Sequence, residues 1–147
     1  MTSPNSRKRS CRVLIVDDEP ALLDIYSTKL RLDGFEVVVA ADGIEGFEKA
    51  IHEEPDIILL DVLMPGKDGF EVLKDLRSHS KTQDMPIVIL SNLGQEYEIK
   101  RGKALGADDF LTKANLTPGK VSEAVVRILQ EKGLKSSTCQ EGEIIAK

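Results

Sequence analysis

Four short runs of consecutive apolar residues punctuate the chain: Val13–Val16, Val37–Ala40, Ile57–Leu60 and Ile87–Leu90. They are rich in Val and Ile and lack the alternation of a half-solvated strand, so each predicts a strand buried on both faces. Asp109–Thr112 is taken as a fifth strand chiefly from its place in the series. Between the runs the apolar spacing lengthens to three or four residues. Leu22, Tyr26 and Leu30 follow Pro20 and stop at Gly34; Ile44, Phe47 and Ile51 follow Asp42; Phe70, Leu73 and Leu76 follow Gly69. Pro in a first turn, Asp at an N-cap and Gly past a last turn are helix punctuation.

The segment Gln95–Leu105 is the weakest helical pattern, because Gly102 interrupts it at about 1 kcal/mol relative to Ala. The last is the clearest: Thr117 can cap, Pro118 suits the first turn, and Val121, Ala124, Val125, Ile128 and Leu129 share one face. Strands alternating with helices, five of each, predict an α/β fold. It is a doubly wound, five-stranded parallel sheet with helices on both faces and right-handed crossovers. Residues 1–10 and 132–147 fall outside the pattern and are expected to be flexible ends.

Composition narrows the function classes. A chain of 147 residues suits one domain, and 25 acids against 20 bases give a net charge of −5. That balance opposes an overall electrostatic grip on DNA or anionic lipid. Arg7, Lys8, Arg9 and Arg12 form a local basic cluster, read as a solvated arm, with a nucleic-acid arm as the lesser alternative. No apolar run approaches the ~18 residues of a membrane span, and the polar N-terminus lacks a signal-peptide core. Cys11 and Cys139 show no metal-like spacing and are read as free thiols in a reducing cytoplasm.

In a doubly wound sheet, ligands bind at the carboxyl ends of the strands. The first strand runs into Asp17-Asp18-Glu19, the third into Asp61, the fourth into Ser91-Asn92, and Lys113 follows the fifth. Singly, each has a bland reading as a cap, a turn residue or a solvated charge. Together they gather carboxylates, a hydroxyl and an ammonium at one sheet edge. Clustered carboxylates repel, and a divalent cation is the simple way to keep them ionised. Hard oxygen ligands suit Mg²⁺, beside which a carboxylate can attack phosphorus while Lys and a hydroxyl stabilise the transferred group's oxygens.

The segments VLIVDDEP, ILLDVLMPGKDG, IVILSN and ADDFLTKA, in this order and spacing, strongly resemble the receiver domain of two-component response regulators. The resemblance runs from about Arg12 to Gln130 and implies a flavodoxin-like (βα)5 fold. The receiver is placed at 11–131, between a basic arm at 1–10 and a tail at 132–147 without an output domain. It implies that Asp61 is the phosphoacceptor. Asp18 is implied as a direct Mg²⁺ ligand, Asp17 as one acting mostly through water, and the Leu63 backbone carbonyl as a further ligand. Ser91 and Lys113 match the residues that reach the phosphoryl group, and Phe110 the aromatic that changes rotamer on activation. Glu19 is not carried over and is read as a helix N-terminal acid.

The implied function is a cytoplasmic phosphorylation switch of the single-domain, chemotaxis type, not a turnover enzyme. It takes a phosphoryl group from a sensor histidine kinase or a phosphotransfer protein and acts on a downstream protein partner, with no nucleic acid or membrane. A phosphorelay intermediate is the alternative. A phosphohydrolase is disfavoured because Leu63 stands where dehalogenase-type enzymes usually carry a second acid. A nucleotide or flavin module is disfavoured because neither glycine-rich phosphate motif follows the first strand. Three departures from the family's pattern stand out. Ala114 replaces the usual proline after the lysine, Asn92 replaces a very small residue, and Leu63 and Leu93 occupy positions expected to screen the phosphoaspartate from water.

Overall fold

The computed structural model describes residues 10–64, 66–92 and 96–132. Its strands are β1 (Arg12–Val16), β2 (Glu36–Ala40), β3 (Ile57–Asp61), β4 (Ile87–Ser91) and β5 (Asp109–Thr112). The helices are α1 (Pro20–Leu32), α2 (Gly43–His52), α3 (Gly69–Ser78), α4 (Glu96–Ala104) and α5 (Pro118–Glu131). All strand pairs are parallel, in the order β2-β1-β3-β4-β5. The order reverses between β1 and β3, so their connections leave in opposite directions and open a crevice at their carboxyl ends.

The apolar runs are continuous because both sheet faces are covered. Val13, Ile15, Ile57, Leu59, Val88 and Leu90 pack with Tyr26 and Leu30 of α1 and Val121, Val125 and Ile128 of α5. Their neighbours Leu14, Val16, Ile58, Leu60, Ile87 and Ile89 pack with Ala50 of α2 and Phe70, Leu73 and Leu76 of α3. Each fully buried aliphatic side chain contributes on the order of 1.5–3 kcal/mol. The predicted caps form: Asp42 accepts from Glu45 N at 2.8 Å, and Thr117 accepts from Lys120 N at 3.1 Å. At α3, Asp68 and Glu71 form a reciprocal capping box.

The α4 segment is as weak as its pattern predicts. Its buried residues are Glu98 and Gly102 rather than an apolar stripe. One carboxylate oxygen of Glu98 is buried without a hydrogen-bond partner. An alanine Cβ at Gly102 would meet Phe110 and Phe70, both at 3.6 Å, in ordinary contact.

One expectation changes. Cys11 is not a free thiol: it is buried and disulfide-bonded. Linear spacing carries no information on which sulfurs a fold brings together; Cys139 lies outside the described residues. At Lys113-Ala114 no cis peptide bond occurs, and Lys113–Asn115 forms a 3₁₀ turn instead. No helix among the described residues is long and apolar enough to cross a membrane.

A clamp at the far end of the sheet went unnoticed in the sequence. The Arg77 guanidinium donates to the carbonyls of Gly106 (2.8 and 3.0 Å) and Met85 (2.6 Å) and to the Asp108 carboxylate (3.1 Å). It thereby ties the end of α3 to the entries of β4 and β5. Arg77→Met keeps the stem but strands these acceptors, and is expected to cost about 2–4 kcal/mol in urea unfolding. Arg77→Lys, lacking the planar fork, is expected to recover less than half of that.

Candidate functional site

Parallel pairing carries the sequence-predicted acids to one edge. β1 delivers Asp17 beyond Val16, which lies in register with Leu60, and Asp61 is the last residue of β3. Carboxylate oxygens of Asp17, Asp18 and Asp61 all lie within 4.8 Å of one another. Asp17 and Asp61 are buried, at 0% and 4% exposure.

Lys113 enters from the end of β5. Its Nζ lies 2.6 Å from Asp17 Oδ2, 3.5 Å from Asp61 Oδ1 and 3.4 Å from Glu19 Oε1. Burial works against the Lys113 charge, but the hydrogen bond to Asp17 and the charges of Asp61, Asp17 and Glu19 outweigh it and hold the ammonium above its ordinary pKa. Asp61 moves the other way for a carboxylate. Burial is the main cause, and with the Asp17 charge it outweighs Lys113 and the backbone N–H of Leu63, pushing the pKa up to about 6.

Ser91 is fully buried at the end of β4, in register with Thr112 of β5, while Leu90 pairs with Asp61. The hydroxyl is thus one residue past the Asp61 level on the neighbouring strand. Leu63 is 56% exposed, and its backbone N–H works to lower the Asp61 pKa. Phe110 is half-buried against the cluster that contains Phe70 and Ile89. Asn92 is exposed; Leu93 lies outside the described residues.

Sequence reasoning missed Glu19. It occupies the α1 N-cap position, but its side chain makes no cap hydrogen bond and reaches Lys113 instead. An acid followed by Pro reads as a helix start, and nothing local signals a lysine 94 residues away.

Several hard oxygen donors converge here without enough positive charge to neutralise them. Asp17, Asp18 and Asp61 therefore fit a divalent cation of the Mg²⁺ type, one that retains open positions. Mg²⁺ is expected to raise the thermal midpoint by about 4–8 °C at tenfold excess over Kd, rising further with the logarithm of its concentration. Asp18→Asn is expected to remove most of that shift, as read by a melting curve with and without chelator.

Residues 13–126 match the family model described as the response regulator receiver domain. The chain belongs to that family. It is 42% identical over 117 residues to the DNA-binding dual master transcriptional regulator RpaA of Synechocystis sp., covering 80% of this chain and 47% of that protein. The chain therefore spans about half the length of that relative. Among solved structures, chemotaxis response regulator CheY4 of Vibrio cholerae is 35% identical at a TM-score of 0.77, over 82% of this chain and 99% of that one. A CheY-like receiver domain protein of Methanospirillum hungatei JF-1 is 27% identical at a TM-score of 0.78, over 84% and 97%.

Proposed function

We propose that this receiver domain is a phosphorylation switch in which Asp61 is the phosphoacceptor. The observation that carries the reading is the convergence of Asp17, Asp18, Asp61 and Lys113 at the β1/β3 crevice. Asp17 and Asp18, with Asp61 and the Leu63 carbonyl, would hold Mg²⁺, which when bound neutralises phosphoryl oxygens. An Asp61 carboxylate oxygen attacks phosphorus, forming a new O–P bond. The bond from phosphorus to the donor breaks, and its electron pair leaves with the donor. For a sensor kinase or phosphotransfer protein that donor is a histidine nitrogen.

Lys113 stabilises charge on the transferred group, and the Ser91 hydroxyl serves as a second donor. Once phosphorylated, Asp61 recruits both, and Phe110 repacks against α4. The poor fit of α4, with its unpartnered Glu98 oxygen and interior Gly102, supports it as the moving element. The surface of α4, β5 and α5 then presents a changed face to a downstream protein. In this reading exposed Leu63 screens the acyl phosphate from water, and Leu93 shares that role. The group is retained as a signal, not released in steady turnover.

Incubation with Mg²⁺ and acetyl phosphate is expected to yield an acid-stable, base-labile adduct, detected by intact mass. Asp61→Asn is expected to abolish it. Persistence of the adduct in that variant, or its absence from the native chain, overturns the assignment.

A further inference from the structure

Lys113 holds three carboxylates at once, and they are not equivalent. Asp17 and Asp61 are buried beside it, at 2.6 and 3.5 Å, whereas the Glu19 side chain, at 3.4 Å, is 56% exposed. The Glu19 backbone is pinned by donation from Glu19 N to Asp17 Oδ1 at 2.9 Å and by Leu23 N, which donates to the Glu19 carbonyl. With no cap bond to make, the side chain is left to the lysine. Asp17 and Glu19 accept from two of the three Lys113 N–H donors, so a phosphoryl group engaging Lys113 through more than one oxygen must displace one of them. Solvent compensates the loss of an exposed partner far better than that of a buried one.

We infer that Glu19 is a displaceable positioning residue: it occupies one donor of Lys113 in the unphosphorylated protein and yields it to the incoming phosphoryl group. The inference rests on Asp61 being the phosphoacceptor. Glu19 therefore sets how readily the site accepts phosphate. It does not touch the reacting atoms.

Two variants separate this contact from a general charge effect. Glu19→Gln removes the charge; Glu19→Asp keeps it but withdraws it by one methylene. The apparent rate constant of Asp61 phosphorylation by acetyl phosphate, at saturating Mg²⁺, is expected to rise roughly two- to fivefold in both, the range of an exposed ion pair. The Lys113 side-chain ¹⁵N resonance of the metal-free protein, assigned by its absence in Lys113→Arg, is expected to shift in both. An unchanged or slower rate in Glu19→Gln overturns the inference, as does a native rate in Glu19→Asp beside a raised one in Glu19→Gln. Should the native chain form no adduct, the phosphoacceptor reading fails by itself. The Lys113 resonance still decides the contact: unmoved in both variants, it overturns the tether.

Discussion

Asp61→Asn is expected to stabilise the metal-free, unphosphorylated protein at neutral pH, by on the order of 2–3 kcal/mol, and the gain is expected to vanish below about pH 4. Burial raises the folded-state pKa of Asp61 from 3.8 to about 6. Between those values the folded state holds a proton that the unfolded state has lost. Stability of the native chain therefore falls as pH rises through the window, and the full deficit stands above pH 6. At 1.36 kcal/mol per unit, a shift of about two units gives the stated magnitude. Asn is nearly isosteric and never ionises, so it lacks the step, while Asp17 and Glu19 still partner Lys113. Urea unfolding in chelator at pH 4, 5, 6 and 7 reads it out. Equal stability at pH 7, or a difference that ignores pH, refutes the reading of Asp61 as a destabilised charge. Mg²⁺ is expected to narrow the gap, since it favours the ionised carboxylate that the fold alone disfavours.

That carboxylate is expensive for the fold and useful for the chemistry, and the same physics made it legible. A buried parallel strand reads as unbroken Ile57-Ile58-Leu59-Leu60, so a following Asp is conspicuous. Strand boundaries were less visible. β1 begins at Arg12 and β2 at Glu36, where backbone pairing continues while side chains reach solvent and pair with each other at 2.6 Å. The composition of α4 foretold its weakness, because no apolar periodicity can be inferred where Glu98 and Gly102 face inward. Long-range polar contacts left no local trace. Arg77 in a last helical turn reads as a dipole partner, yet it binds a carbonyl 29 residues on. Glu19 reads as a helix-start acid for the same reason. Periodicity reports which face is buried; it says nothing of which polar groups a fold brings together.

Gly69→Ala is expected to be the most damaging conservative change near the site. An alanine Cβ there would stand 2.6 Å from Val62 Cα and nearer still to the Asp61 carbonyl oxygen. Both obstacles are backbone, so no rotamer relieves them. Gly69 needs no special torsion; close approach alone requires it, as the first residue of α3 pressed under the β3 exit with its N–H on the Val62 carbonyl at 3.1 Å. Relief means moving α3 away or displacing Asp61-Val62, and either route costs roughly 3 kcal/mol or more. The second also misplaces the acceptor carboxylate, where even ~1 Å is enough for about a hundredfold loss of rate. Phosphorylation by acetyl phosphate is thus expected to fall by at least about tenfold in conditions where the variant remains folded. Gly119→Ala is the control: its Cβ would meet nothing closer than Thr117 Oγ1 at 3.9 Å. Within α5 it is expected to be neutral or stabilising by up to about 1 kcal/mol. Opposite signs at these two glycines would show that backbone proximity to Asp61, and not helix propensity, makes position 69 a glycine.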